Sequence, residues 1–141
     1  MGQLTWSDDY SVHISEIDNE HRLLIELIKE LDHAMETQEM VRSQLVSSAL
    51  EKLSQHIRMH FESEERFLLF NNYPDFTSHQ QEHHDLLHTL EKFVGHVSSE
   101  QSVFSGENLL FIKDWLVRHI ILHDCKYGSF YRGKELATHF S

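Results

Sequence analysis

Helix-breaking residues are scarce in this chain of 141 residues, which contains one proline and five glycines. Because proline and glycine interrupt helices and mark turns, their scarcity leaves long stretches in which a helix can continue. Hydrophobic residues make up 40% and charged residues 25%, which is typical of a globular domain, and the length is that of one domain. The composition therefore predicts an all-α fold.

Cysteine is also scarce, since Cys125 is the single one. One thiol excludes an internal disulfide and a cysteine-based zinc site, and it makes a reducing cytoplasm the expected compartment. The N-terminal MGQLTWSDDYSV is acidic, and no run of about 18 apolar residues occurs, so we expect neither a signal peptide nor a membrane span.

Positive charge is in short supply, because 12 Lys and Arg face 23 Asp and Glu, for a formal net charge of −11. Nucleic acids and anionic membranes select clustered basic residues, so neither is an expected partner. The 13 histidines are the compositional anomaly. Imidazole is the commonest protein ligand for transition metals.

The pattern predicts four helices, a fold of the antiparallel up-down-up-down four-helix bundle type, and one domain over residues 1–141. An irregular N-terminal arm precedes Ser15, the predicted N-cap of the first helix. Asn71, Asn72 and Pro74 form a predicted turn, Gly128 ends the fourth helix, and YRGKELATHF adds a candidate short C-terminal helix. The predicted helices cover residues 15–37, 41–70, 78–98 and 107–127.

Helical periodicity sorts the histidines by face. A rotation of about 100° per residue puts His79 and His83 on the apolar stripe of the third helix and His84 and His88 on the opposite, solvated side. The same rotation turns His21, His60, Glu64 and His119 inward on the other helices. His56 lies at the edge of its stripe, where a channel-lining role and a partly exposed structural role are equally compatible with the pattern.

Each helix therefore aims at least one nitrogen or oxygen ligand at the bundle axis. Imidazoles mixed with carboxylates, without thiolates, suit iron, manganese or zinc. The number of ligands is too large for one ordinary metal ion, which favours a two-metal centre.

Four segments together resemble the hemerythrin family, specifically the bacterial hemerythrins. They are Trp6 with IDNEH, HFESEE, YPDFTSHQQEH and WLVRHIILHD, and the resemblance covers nearly the whole chain. It implies a non-haem di-iron site, bridged also by an oxygen atom from water, with five histidine ligands and two bridging carboxylates. The implied metal ligands are His21, His60, Glu64, His79, His83, His119 and Asp124.

Asp124 is the position where helical geometry and the resemblance differ. In a regular α-helix a residue five positions after His119 is turned by about 140°, whereas His123 stays on the face of His119. The family spacing selects Asp124, which requires a local widening such as a π-bulge or fraying of the helix end. We predict that Asp124 is the ligand, because a second bridging carboxylate balances positive charge in a buried site.

The function implied by the resemblance is reversible binding of dioxygen at two iron ions, for carriage, storage or sensing, without enzymatic turnover. Ile25 and Trp115 are candidates for lining the oxygen pocket, although ordinary core packing explains each of them at least as well.

Three alternatives remain open at this stage. One is a di-iron enzyme that reduces peroxide or nitric oxide, although the chain has a single Glu-x-x-His pair, Glu30 and His33, where ferritin-like oxidases use two. Another is a sensory domain with a fused or separate signalling partner. A zinc or iron store would use the same ligands.

Overall fold

Four long helices carry the fold in the computed structural model, which describes residues 4–98 and 103–134. The described part contains no strand, as predicted, and none of its helices is both long and apolar enough to cross a membrane. A 3-10 turn, Asp8–Tyr10, lies in the arm before the first helix. The helices are α1 (Ser15–Met35), α2 (Glu39–Phe70), α3 (Phe76–Ser98) and α4 (Gly106–His119), and the path of α4 continues through a π-helical segment (Ile120–Asp124) into α5 (Cys125–Phe130).

The helices run antiparallel, because successive helices meet at opposite ends. Near the start of α1, the His21 ring lies 4.8 Å from the His60 ring in the C-terminal half of α2. Near the start of α3, the His83 ring lies 4.9 Å from the His119 ring at the end of α4. The start of α1, the end of α2, the start of α3 and the end of α4 therefore share one end of the bundle.

The prediction that Ser15 caps α1 is wrong. Ser15 is the first residue of the helix, and the capping position belongs to Ile14, whose side chain makes no capping hydrogen bond. The carboxylate of Asp18 instead forms hydrogen bonds with the arm. It accepts one from the Ser11 hydroxyl at 2.6 Å and one from the Val12 backbone N–H at 2.8 Å, and these bonds attach the arm to α1.

The core consists of two apolar clusters with a polar layer between them. The order along α2 shows this arrangement: Phe61 belongs to the larger cluster, Phe67 to the smaller, and the buried Glu64 lies between them. The smaller cluster closes the end of the bundle where the arm and α5 pack. It comprises Val12, Ile14, Ile17, Phe67, Leu68, Tyr73, Tyr127 and Tyr131.

The prediction that Gly128 ends the last helix is also wrong, since α5 continues to Phe130. The reason for a glycine here is tertiary. A Cβ on Gly128 would lie 2.8 Å from the Val12 backbone oxygen and 3.1 Å from its Cα, so the arm crosses α5 at this point. Tyr131 to Gly133 form a turn, Lys134 follows as a bend, and residues 135–140 of the predicted C-terminal helix lie outside the described part.

We expect Gly128→Ala to destabilise the protein by about 1–3 kcal/mol, because the added methyl group must displace backbone atoms of the arm. Gly95→Ala is the matched control. A Cβ at Gly95, inside α3, meets no heavy atom within 4 Å, so there the change removes a helix-weakening glycine and is neutral or stabilising by up to about 1 kcal/mol. Denaturant unfolding measures both variants, and equal stability of the two would contradict the close approach.

Candidate metal centre

The polar layer consists of five imidazoles and two carboxylates, which all four helices and the π-helical segment supply. Each of these residues is buried, and Glu64, His21 and Asp124 are completely inaccessible to solvent. Burial of so many ionisable groups is costly unless they satisfy one another or hold a metal. The seven residues are His21, His60, Glu64, His79, His83, His119 and Asp124.

The seven residues form two overlapping groups. The first contains His21 and His60, and the second contains His79, His83 and His119; Glu64 and Asp124 belong to both. Within each group the ligand atoms all lie within 4.8 Å of one another. Two carboxylates, each with two oxygens, are therefore shared by two sets of imidazoles, an arrangement that would let each carboxylate bridge two metal ions.

The π-helical segment brings Asp124 into the cluster. A π-helical turn closes i→i+5 hydrogen bonds, so residues five apart fall on one side of the helix. The Asp124 Oδ1 atom lies 3.0 Å from the His119 Nε2 atom. The predicted departure from regular α-helical geometry is confirmed. His123 is turned away and half-exposed, and its Nε2 atom lies 2.8 Å from the Glu82 carboxylate.

Several buried atoms of the cluster are close to one another without making hydrogen bonds. The two Asp124 oxygens lie 3.0 Å from nitrogens of His21, His79 and His119, yet neither oxygen has a hydrogen-bond partner. The Nε2 atoms of His21 and His60 also lack one. Short contacts without hydrogen-bond geometry fit ligands arranged to face divalent cations. Nitrogen and oxygen donors without sulfur suit iron, manganese or zinc.

Electrostatics hold the two central carboxylates in their charged form. Burial disfavours the charge, but the neighbouring imidazoles, His60 foremost for Glu64 and His119 for Asp124, hold both carboxyl pKa values well below their usual range. Burial likewise opposes protonation of His60 and His79. The charge on Glu64 nonetheless raises the pKa of His60 to about 10. Polar contacts with Asp124 and Glu64 raise the pKa of His79 to about 10 as well. A metal ion must displace these protons to bind.

An outer set of polar side chains contacts the cluster, and none of them was predicted from the sequence. Glu20 pairs with the Nδ1 atom of His60. Glu65 lies 2.8 Å from the corresponding atom of His83. The Tyr127 hydroxyl donates a 2.8 Å hydrogen bond to Glu64. Glu20 and Glu65 adjoin His21 and Glu64 in sequence, but each serves a histidine on another helix, so helical periodicity alone does not reveal them.

Aromatic rings stack on two histidines of the second group of ligands. Phe61 stacks on His83 with ring centroids 3.7 Å apart and planes 4° apart. Trp115 stacks on His119 at 4.5 Å and 12°, so this predicted lining residue does contact the cluster. Ile25, the other one, is buried in the larger apolar cluster. A pocket-lining role for either residue stays a prediction.

The remaining histidines singled out by the sequence lie outside the cluster. His84 and His88 are exposed on α3, as the face analysis predicts, and His56 is half-exposed beside a groove between α1 and α2. Glu30 and His33 are exposed, and Glu30 pairs with Lys52 on the surface. The Glu-x-x-His pair therefore has no part in the candidate metal centre.

Comparison with known proteins agrees with this arrangement. The sequence matches the family described as the hemerythrin HHE cation binding domain over residues 12–127. It is 34% identical to a myohemerythrin from Theromyzon tessulatum, over 86% of this chain and 88% of that one. It is 26% identical to a bacteriohemerythrin from Methylococcus capsulatus, over 91% and 96% of the two chains.

The fold agrees as well. A crystal structure of wild-type hemerythrin superimposes with a TM-score of 0.85 at 24% identity, covering 91% of this chain and 97% of the other. At that identity the superposition supports the four-helix bundle alone. Because the family model and the myohemerythrin match most of its length, the chain belongs to the hemerythrin family.

Proposed function

We propose that this protein binds dioxygen reversibly at a non-haem di-iron centre formed by the seven clustered residues. The observation that carries the proposal is the sharing of Glu64 and Asp124 between two ligand groups. A site for one metal ion does not need carboxylates that belong to two ligand groups, whereas shared carboxylates would hold two metal ions at a fixed separation. Membership of the hemerythrin family, with relatives named for that protein, supports the choice of iron and dioxygen.

The two halves of the centre differ in the number of donors. The half with His21 and His60 has four protein ligands, and the half with His79, His83 and His119 has five. The half with His21 and His60 offers one protein ligand fewer, so a metal ion held there would have more room for dioxygen. Two ferrous ions held by the seven residues would supply the two electrons that dioxygen takes up and later returns.

The chain's own task is to keep the centre dry and its ligands fixed. The two apolar clusters cover the polar layer from both sides, and Phe61 and Trp115 pack directly on its imidazoles. Exclusion of bulk water and extra protons slows irreversible oxidation of a reduced metal site. The surface position of Glu30 and His33 argues against the peroxide- or nitric-oxide-reducing enzyme, so we propose a binding protein.

The proposal also includes the domain and its compartment. We propose that residues 1–141 form one hemerythrin domain, which the family match over 12–127 supports. We propose a reducing cytoplasm as its compartment, because Cys125 has no second cysteine to pair with.

The optical spectrum of the purified protein, reduced without oxygen and then exposed to air, tests the function. We expect two irons per chain and a colour change that reverses when oxygen is removed. A colourless protein loaded with zinc would contradict dioxygen binding, and steady turnover of peroxide or nitric oxide under reducing conditions would favour the enzyme.

Variants of the π-helical segment test the ligand set. We expect Asp124→Ala to lose or scramble the iron pair, because a buried bridging carboxylate disappears and leaves excess positive charge. His123→Ala should retain two irons and the oxygen spectrum, and the exposed His84→Ala serves as the control. Iron analysis together with the spectrum measures the effect. Full iron content in Asp124→Ala would exclude this residue as a ligand.

Removal of iron should lower the melting temperature. A ligand that binds only the folded state at about 1,000 times its Kd adds about 4 kcal/mol of stability. For a chain of this length that corresponds to a shift on the order of 10 °C. Thermal scans with and without chelator measure it, and Glu64→Ala, which should not hold the pair, should show no chelator effect. Identical melting of chelated and iron-loaded wild-type protein would place the metal outside the core.

A further inference from the structure

We propose that Glu20 is a positioning residue that fixes the His60 ring and thereby retains the metal ion of the four-ligand half. This inference rests on the proposed two-metal centre. It assigns to Glu20, which lies outside the predicted ligand set, control over how fast one of the two ions leaves.

The geometry places Glu20 behind the ligand. Glu20 reaches from α1 to the outer Nδ1 atom of His60 on α2, while the inner Nε2 atom of the same ring lies 3.3 Å from Glu64. A carboxylate on the outer nitrogen keeps the proton there, which leaves the inner lone pair free for a metal. It also fixes the ring orientation and strengthens the ligand as a donor.

The four-ligand half has little else to hold its imidazoles in place. In the five-ligand half, Glu65 contacts His83, Phe61 stacks on the same ring, and Trp115 stacks on His119. The ring contacts of His60 are edge-on with His21 and tilted with Phe61, at 4.8 and 5.9 Å.

His21 offers no second support, because its outer nitrogen has no hydrogen-bond partner in the part of the chain that the structure describes. Glu20 is therefore the one carboxylate, among the described residues, that backs an imidazole of this half.

The same half lies beside solvent. A groove of about 500 Å³ runs between α1 and α2, and Glu20, His56, His60, Glu62 and Arg66 are among its lining residues. Both Glu20 and His60 line the groove, but the Glu20 side chain is 32% exposed and the His60 side chain 4%, so the glutamate covers most of the ligand. A His60 ring without this support can turn toward the groove, and water can then compete for the metal.

The kinetics of iron release test the proposal. Iron-loaded, reduced wild-type protein and the E20Q variant are mixed with excess ferrous chelator, and the coloured chelate is followed with time. Loss of an outer-shell partner typically weakens metal binding by about 10–100-fold. We expect E20Q to release one ion per chain faster by that factor and the second ion at the wild-type rate.

E62Q is the matched control. Glu62 lines the same groove from α2 and is exposed. We expect wild-type release from E62Q and unchanged melting of its metal-free form. E20D keeps the charge but shortens the side chain by one methylene, which moves the carboxylate away from His60. Fast release of one ion from E20D would support a positioning role for Glu20. Wild-type release from E20D would overturn that role, because the charge alone would then be sufficient.

Other outcomes are equally decisive. Wild-type release of both ions from E20Q, or the same acceleration in E62Q, would overturn the role of Glu20 and leave the di-iron proposal standing. A wild-type chain that never retains two ions would overturn both proposals.

Discussion

Two carboxylates buried at the centre of a helical bundle, Glu64 and Asp124, are the constraint on which the rest of this structure depends. Neither is accessible to solvent, and both are held in the charged form. Buried charge is tolerated only when it is compensated at close range. Imidazoles with raised pKa values, among them His60 and His79, provide part of that compensation. Two metal ions held there would provide it more completely, with the imidazoles then acting as neutral donors.

The bundle accommodates this polar layer by dividing its core. Ile17 and Leu24 on either side of His21 belong to different clusters, and so do Phe61 and Phe67 on either side of Glu64. The layer is therefore sealed on both sides by well-packed hydrocarbon, which lowers the local dielectric and strengthens the internal ion pairs. The arm, fastened by Asp18 and packed against Gly128, completes the seal at one end.

Contacts between helices also orient the ligands. Glu20 on α1 supports a ring on α2, and Glu65 on α2 supports a ring on α3. Orientation of the imidazoles therefore depends on how neighbouring helices pack, so that assembly of the bundle and affinity for metal are coupled. The halves nevertheless differ, because among the described residues parallel ring stacking is found in the five-ligand half and not in the other.

The sequence by itself determined the helices and their faces, because helical periodicity is a local property. It was sufficient to predict that His79 and His83 are buried and that His84 and His88 are exposed. Regular periodicity alone selects His123 and the resemblance selects Asp124, and it is the π-helical backbone that turns Asp124 toward the cluster. Tertiary structure decided the rest. Glu20 and Glu65 act across helix interfaces, and Gly128 is required by the approach of Val12, so their roles arise from distances between segments that no local pattern records.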